Sequence, residues 1–544
     1  MARPASAHSI LASEIPRHPP ALEALWEKRG YWRNETIGDV VDAWAKTRPA
    51  HIAIQSAERA YTFAEVAEIS ARLAYGFKQL GWRKGDVVAI QLPSVPEFLL
   101  LFFALARMGV VAATIHMPYR LAEIEPLVRH ARARAIICAP RSQAYDAPGT
   151  MLELRNRLPE LETIVVAGAD ERSEILALGR VLRTGLPHAV TDKPSPKDPL
   201  VLCFTSGTTA SPKAVLSDHR TLLGNNRAVV EIFGLRDDDV FLAGSPFTHV
   251  YGLGCAMTGF SFGVANALLP QFTPQNLAAA IERHRVTLMF AAPAHVASCL
   301  KEGLHKQHDL SSLRLAVLGG AFVAPELSQA WEAAMPNGRV TQLFGMTESQ
   351  MTIAVPHDAP AERRWNFVGR PTPGLEMRVV GSDGKPLSAG DEGEVETRGY
   401  SVAPGYFRNE AATKAGMREG GWFRTGDVGV INDAGDLAIT GRAKDIVNRG
   451  GIKINPTDIE NLIATHEKVL QAAIVPMADA LLGERACLFV TLKPGATLTL
   501  DEVARFLERH HFAKIKWPER LIVIPDMPLT PTRKIIKGEL KKLL

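Results

Sequence analysis

The sequence is poor in the features that mark several large protein classes. Cysteine is scarce, with five residues in 544, at positions 138, 203, 255, 299 and 487, and no Cys-x-x-Cys pair. So few, so widely scattered and odd in number, they exclude a disulfide framework and fit a reducing, cytoplasmic compartment. Charge of one sign is also scarce: 62 Lys and Arg against 58 Asp and Glu leave a net +4, spread along the chain. That is too small and too dispersed for a nucleic-acid binder. No long uninterrupted apolar run is present. Phe98 to Ile115 comes nearest, but it contains Arg107 and Gly109 splits it. A helix of about three turns followed by a buried strand explains it better than a membrane span of about 20 residues. Met1 to Pro20 has prolines and histidines but no apolar core, so no secretory signal is expected there. Internal repeats and long low-complexity tracts are missing, and so is the Walker pattern Gly-x-x-x-x-Gly-Lys-[Ser/Thr].

What is present is a soluble, globular composition, 46% hydrophobic and 22% charged, in a chain too long for one core. The first part alternates strands and helices. Thr36 with Asp39 and Thr62 with Glu65 form helix-capping pairs. After the second, Val66, Ile69, Leu73, Phe77 and Leu80 recur at helical spacing until Gly81. Strands follow at Asp86–Ile90, Val110–Thr114 and Ala135–Cys138, with a helix over Leu121–Ala131. This alternation predicts parallel sheet faced by helices. A polar, proline-rich segment, Ala189–Pro199, delivers the apolar strand Leu200–Phe204. Ala316–Ala321 and Val340–Gly345 read as further strands. Beyond Phe367, Glu376–Val380, Gly393–Thr397 and Leu437–Thr440 are short alternating segments of antiparallel type. A last unit of α+β character begins at Gly441-Arg442-Ala443-Lys444-Asp445. It holds a strand at Ile446–Asn448 and a helix with Asn455 as its N-cap, Pro456 in its first turn, and Ile459, Leu462 and Ile463 on one face.

The chemistry centres on Thr205-Ser206-Gly207-Thr208-Thr209-Ala210-Ser211-Pro212-Lys213, directly after the Leu200 strand. Small residues let backbone N–H groups approach an anion, hydroxyls add donors, and the lysine adds a cation. The residues alone leave two readings open, a phosphate cradle and a polar surface loop.

Further motifs stand in order along the chain: Pro246-Phe247-Thr248-His249-Val250-Tyr251-Gly252; Gly319-Gly320-Ala321; Phe344-Gly345-Met346-Thr347-Glu348; Trp422-Phe423-Arg424-Thr425-Gly426-Asp427; Gly441-Arg442-Ala443-Lys444-Asp445; and Leu529-Thr530-Pro531-Thr532-Arg533-Lys534. Together, from about Trp32 to Lys537, they resemble the adenylate-forming superfamily of acyl- and aryl-CoA synthetases, peptide-synthetase adenylation domains and firefly-type luciferases. The resemblance implies an α/β fold. A large N-terminal domain of several subdomains, residues 1–441, would contain parallel sheets with helices and a small β-barrel-like part. A small, mobile α+β lid would span residues 442–544. It implies ATP, Mg²⁺ and coenzyme A as cofactors and co-substrates, a small carboxylic acid as substrate, and a homodimer as the candidate assembly.

Residue by residue, the resemblance assigns Thr205, Ser206, Gly207, Thr208, Thr209 and Lys213 to the β- and γ-phosphates of ATP. Thr209 and Glu348 would sit at the metal, with Thr347 beside them in the catalytic set. Phe344 would stack on adenine, with Gln342, Gly320, Ala321 and Gly345 around it. Asp427 would accept both ribose hydroxyls, and Arg442 would add a second nucleotide contact. Lys534 would reach the substrate carboxylate and α-phosphate, stabilising the developing charge. Lys444 matches a hinge about which the last unit turns, exchanging Lys534 for a thiol-acceptor face with Arg449, Gly450 and Gly451. Tyr251, Gly252, Phe290, Ala292, Gly319 and Met346 would line the acyl pocket, with His249 as its gate.

Three positions depart from the family pattern: Ala210, Ala214 and Arg533 stand where glycine is usual. A left-handed backbone at such a position costs a non-glycine residue about 1 kcal/mol or more. His249 resembles the gate of acyl-CoA synthetases. The segments Arg29-Gly30-Tyr31-Trp32 and Gln91-Leu92-Pro93-Ser94-Val95-Pro96-Glu97-Phe98 look like those of aryl-acid enzymes. The combination resembles CoA ligases for medium-chain or cyclic carboxylates, such as cyclohexanecarboxylate. An aryl- or acyl-AMP ligase serving a carrier protein is the alternative, and a non-catalytic binding relative a third.

Overall fold

A computed structural model of the chain describes residues 9–186, 193–205, 212–449, 452–479, 482–510, 512–530 and 533–544. They form two compact units. The first comprises Met1–Trp365, Gly369–Glu376 and Thr397–Phe423; the second comprises Asn366–Val368, Met377–Glu396 and Arg424–Leu544. Residues 424–441 therefore pack with the second unit, whereas the sequence reading puts its boundary after 441.

The first unit is built on two sheets. One has seven strands in the order Leu176–Ala177, Thr163–Val166, Ala135–Cys138, Val87–Gln91, Val111–Thr114, Pro199–Phe204 and Ala214–Asp218. All neighbours are parallel except the last pair, a hairpin. The central strands are buried along their whole length, as expected of strands covered on both faces. The other sheet has nine strands in the order Arg370–Pro371, Gln350–Ala354, Arg339–Met346, Leu315–Leu318, Leu288–Ala291, Val240–Ala243, Ala265–Ala267, Ile52–Gln55 and Ala60–Thr62. Its middle is parallel, and its two ends close with antiparallel strands.

The predicted caps are in place. The Thr36 hydroxyl accepts the Asp39 N–H at 3.2 Å, and the Asp39 carboxylate accepts the Thr36 N–H at 3.0 Å. Thr62 and Glu65 repeat the arrangement at 3.2 and 2.8 Å, starting helix Phe63–Gln79. The apolar stretch resolves into helix Pro96–Met108, a left-handed Gly109 at φ +66°, and strand Val111–Thr114. Among the described residues no helix is long and apolar enough to cross a membrane. Helix Pro96–Met108 is enclosed by the main core because nearly every side chain on it is apolar, and Phe103 meets Phe260 edge-on at 4.7 Å. All five cysteines are buried and free of disulfides.

The second unit takes up most of a four-stranded sheet, ordered Leu375–Val380, Glu392–Gly399, Phe423–Ile431 and Leu437–Arg442; its strand path is open. A further sheet orders Ile452–Ile454, Val447–Arg449, Gly483–Leu492 and Val469–Asp479, with Arg520–Val523 parallel to Gly483–Leu492. Helix Thr457–Ala464 buries Ile459 and Ile463 as predicted. Its cap is shifted by one residue: Pro456 occupies the N-cap, while the Asn455 Oδ1 accepts the Thr457 N–H at 3.2 Å. Proline has no N–H and its φ is fixed, so it can sit at the boundary while its neighbour supplies the acceptor.

Replacing Phe103 by alanine removes a fully buried ring from the main core and should cost about 3–5 kcal/mol. Urea unfolding should show this as a lowered midpoint at an unchanged slope.

Candidate active site

The strand pair Pro199–Phe204 and Ala214–Asp218 closes where the Thr205 N–H donates to the Lys213 carbonyl at 2.9 Å. Ser206, Gly207, Thr208, Thr209 and Ala210 lie outside the described residues. Ala214 pairs with Phe204 as an ordinary strand residue, and its carbonyl accepts the Phe407 N–H at 2.8 Å. Nothing there requires a left-handed backbone, so alanine at this position carries no strain.

The Lys213 ammonium lies 5.3 Å from the centre of the Tyr406 ring, within cation–π range. The Tyr406 hydroxyl donates to Glu348 Oε1 at 2.6 Å. One tyrosine thus joins the lysine that ends the loop to the glutamate predicted at the metal. Tyr406 packs with Val215, Val402, Ala403 and Phe423, and its N–H donates to Thr413 Oγ1 at 2.8 Å. Burial, reinforced by the Glu348 charge, pushes the phenol pKa far up, so it remains a donor.

Glu348 sits on the turn between strands Arg339–Met346 and Gln350–Ala354. Met346 pairs with Gln350, the Ser349 N–H donates to the Met346 carbonyl at 3.2 Å, and the Glu348 carbonyl accepts the Ala403 N–H at 2.6 Å. A bulge between Phe344 and Gly345 precedes the turn, which also carries Thr347. A Cβ on Gly345 would lie 1.9 Å from the Gln350 carbonyl, so only glycine fits there. The Gln342 amide donates to the Trp365 carbonyl at 2.6 Å, which fixes that side chain beside Phe344 in sequence.

Strand Leu315–Leu318 runs parallel to Arg339–Met346 and ends in Gly319, Gly320 and Ala321. A Cβ on Gly319 would meet the Leu343 carbonyl at 2.7 Å, whereas one on Gly320 (φ +83°) would only touch the Tyr251 ring at 3.9 Å. The Tyr251 hydroxyl donates to the Val317 carbonyl at 3.3 Å. Gly252 lets its helix approach the preceding turn, since a Cβ would fall 2.2 Å from the Pro246 carbonyl. Phe290 stacks on Phe241 at 4.9 Å and meets Phe233 and Tyr251 edge-on inside the main core. Ala292 caps helix Pro293–Lys301, its N–H donating to His295 Nδ1 at 3.2 Å.

His249 caps helix Val250–Phe262, its Nδ1 accepting the Tyr251 N–H at 3.1 Å. Next to it is a residue the sequence did not single out. His116 is buried, its Nδ1 is 2.9 Å from Thr248 Oγ1, and its ring lies nearly parallel to that of His249 at 6.1 Å. Burial pushes the His116 imidazole down to about 4, so it is neutral at physiological pH.

In the second unit, Asp427 and Arg442 face each other across two antiparallel strands with Arg442 Nε 2.7 Å from Asp427 Oδ1. Burial raises the Asp427 pKa, and the charges of Arg442, Lys534 and Lys444 oppose that rise. Lys534 is therefore near enough for its charge to act on Asp427. Its N–H donates to Thr530 Oγ1 at 3.0 Å, and the Thr530 N–H donates to the Lys534 carbonyl at 2.7 Å. Arg533 adopts φ +66°, the conformation that glycine takes without cost, so this departure from the family pattern is a strained one. Lys444 lies in the short turn Ala443–Asp445. Arg449 is paired with Glu519 at 2.7 Å, and Gly450 and Gly451 lie outside the described residues.

Comparison with known proteins shows the family. The AMP-binding enzyme family matches residues 41–407, and the AMP-binding enzyme C-terminal domain matches residues 458–534. The chain belongs to this family of adenylate-forming ligases. It is 32% identical over 527 residues to a medium-chain fatty-acid–CoA ligase of Escherichia coli, covering 95% of this chain and 92% of that one. It is 30% identical over 533 residues to a vibriobactin-specific 2,3-dihydroxybenzoate-AMP ligase of Vibrio cholerae, covering 96% of each. In structure it resembles the anthranilate CoA ligase AuaEII in complex with anthranoyl-AMP, with a TM-score of 0.86 at 25% identity over 94% of this chain and 97% of that one.

Two outcomes test this geometry. Tyr406→Phe removes the hydroxyl that orients Glu348 and should slow acid-dependent pyrophosphate release about tenfold, since a hydrogen bond to a charged group contributes about 1.5–3 kcal/mol. Circular dichroism should show the fold unchanged. Asp427 has a raised pKa in the folded chain, so its contribution to stability is full below the unfolded value and is lost as pH rises through the folded one. Asp427→Asn should therefore raise the melting temperature at neutral pH more than at pH about 4, while weakening ATP binding measured by calorimetry.

Proposed function

We propose that the chain is an ATP-dependent carboxylic acid–CoA ligase working through an acyl-AMP, on a medium-chain or cyclic carboxylate. The observation that carries this reading is the Lys213–Tyr406–Glu348 arrangement, which gathers a cation and an oriented carboxylate at the end of the hydroxyl-rich loop. In the first half-reaction a carboxylate oxygen of the acid attacks the α-phosphorus of ATP, and pyrophosphate leaves. Charge grows on the transferring group, so cations and donors fixed beforehand lower the barrier. Lys213 and the loop residues Thr205, Ser206, Gly207, Thr208 and Thr209 hold the leaving phosphates. Phe344, with Gln342, Gly320, Ala321 and Gly345, receives adenine; Asp427 and Arg442 hold the ribose; Lys534 reaches the reacting oxygens.

Magnesium bound with a nucleotide needs only one or two carboxylates beside the phosphates. Glu348 offers a hard oxygen of that kind, with Thr347 on the same turn. Among the described residues no group of three or more His, Cys, Asp or Glu side chains could hold a metal ion without such a ligand. The bound ion would supply charge neutralisation at the phosphates.

In the second half-reaction the thiol of coenzyme A attacks the acyl carbonyl and AMP leaves. Residues 442–544 act here as a lid hinged at Lys444, bringing Arg449, Gly450 and Gly451 to the acyl-AMP in place of Lys534. His249, with Tyr251, Gly252, Phe290, Ala292, Gly319 and Met346 around the acid, gates the acyl side. The second reading, an aryl-AMP ligase serving a carrier protein, is favoured by the similarity to the dihydroxybenzoate-AMP ligase.

Pyrophosphate release and thioester formation with octanoate, cyclohexanecarboxylate and benzoate, with and without coenzyme A, separate the readings. The expected result is acyl-CoA; acyl-AMP that ignores coenzyme A would favour the carrier-protein ligase, and no acid-dependent release would sink both. Lys534→Ala should abolish adenylation and spare thioester formation from supplied acyl-AMP. Equal loss in both halves would contradict the hinge.

A further inference from the structure

Gln342 makes a hydrogen bond whose two ends are held by one carboxylate. Its strand, Arg339–Met346, runs parallel to Leu315–Leu318, with Gln342 opposite Leu318, the residue just before Gly319-Gly320-Ala321. The Gln342 amide donates to the Trp365 carbonyl at 2.6 Å. Only the Nε2 end of a carboxamide can donate to a carbonyl. The bond therefore decides which end of the amide is which, and it turns Oε1 away from Trp365.

The carboxylate is Glu332, on helix Pro325–Ala334, which connects those two strands. Its Oε2 accepts the Val340 N–H at 2.7 Å and the Trp365 Nε1–H at 3.2 Å. Val340 lies two residues before Gln342 on the same strand, and Trp365 supplies the carbonyl that Gln342 bonds. Glu332 thus holds both the strand that carries the donor and the residue that carries the acceptor. Arg364, which is 4% exposed, closes the arrangement. Its Nη2 donates to Glu332 Oε1 at 2.9 Å, its Nε to the Ala359 carbonyl at 2.9 Å, and its Nη1 to the Val340 carbonyl. Burial alone would raise the Glu332 pKa; the bonds from Arg364, Val340 and Trp365 outweigh it and lower it. A buried ion pair stabilises a fold weakly compared with apolar packing, so the geometry it fixes is what distinguishes it.

We propose that Glu332, acting through Trp365, is a positioning residue that fixes the Gln342 amide for reading the base of the nucleotide. This deepens the function proposed above and rests on its placement of adenine beside Gln342. Adenine presents an amino donor at its 6 position, where guanine and hypoxanthine present a carbonyl acceptor. An amide locked with Oε1 away from Trp365 offers the base an acceptor. That oxygen pairs with the amino group and repels the carbonyl. An amide able to turn over would offer either end and admit either base. The Trp365 carbonyl removes that freedom, and Glu332 removes the freedom of Trp365. Neither Glu332 nor the Trp365 ring has to touch the nucleotide for this to work.

The test measures binding of ATP and of ITP, which carries a carbonyl at the 6 position, by calorimetry on the full chain. The wild-type protein should bind ATP at least about tenfold more tightly than ITP. Glu332→Gln, which removes the charge facing Arg364, should cut that ratio at least about threefold. Trp365→Phe, which keeps the backbone carbonyl and removes the Nε1–H, should do the same and keeps the test open if the Glu332 variant folds poorly. In a Gln342→Leu background neither change should lower the ratio further, because both act through that amide. A merely structural role would lower the melting temperature and leave the ratio where it was; that result in both variants would overturn the proposal. So would a ratio that falls equally with Gln342 already replaced, or a wild type that binds ATP and ITP alike. Acid-dependent pyrophosphate release is scored separately. Its absence, with the nucleotide ratios as expected, would support the positioning role and count against the ligase reading.

Discussion

The hydrogen bond from Tyr406 to Glu348 is the contact that joins two distant segments of the first unit. It ties the turn after Arg339–Met346 to the segment that packs on strand Ala214–Asp218, and the same ring faces Lys213. A neutral phenol orients the carboxylate without cancelling its charge, which a lysine or arginine in its place would do. The lysine meets the ring face, which attracts a cation. One tyrosine thus contacts a cationic and an anionic side chain at once.

Backbone conformation explains the departures from the family pattern more directly than side-chain chemistry does. Ala214 is harmless because its position is extended strand. Arg533 is strained because its position, immediately before Lys534, is left-handed. In that turn the Thr530 side chain and backbone hold Lys534 from both its N–H and its carbonyl.

The legible parts of the sequence were the local ones. Capping pairs such as Thr36–Asp39 act over three residues, and the strands of the parallel sheets are short apolar runs, so both could be read in one dimension. The ordered motifs placed the site residues on strand ends and turns, and the strand that carries Phe344 and Gly345 lies where the pattern put it. Long-range pairings left no such trace. Tyr406 reaches Glu348 across 58 positions, and His116 reaches Thr248 across 132. Neither residue differs, in a single sequence, from an ordinary core tyrosine or histidine. The Asn455 cap was misplaced by one residue because proline can occupy the boundary itself.

The two carboxylates assigned to the nucleotide are set up in opposite ways, each within its own unit. Asp427 is buried, which raises its pKa, and is surrounded by Arg442, Lys534 and Lys444, which lower it. Removing any one of these cations shifts that balance toward the neutral acid, a poorer acceptor for ribose hydroxyls. Glu348 is oriented by an uncharged donor, the Tyr406 hydroxyl. If Lys534 leaves after adenylation, Asp427 loses one of its compensating charges while Arg442 remains on the paired strand. The Arg442 contact, first among the charges that oppose the effect of burial on Asp427, is made within one pair of strands.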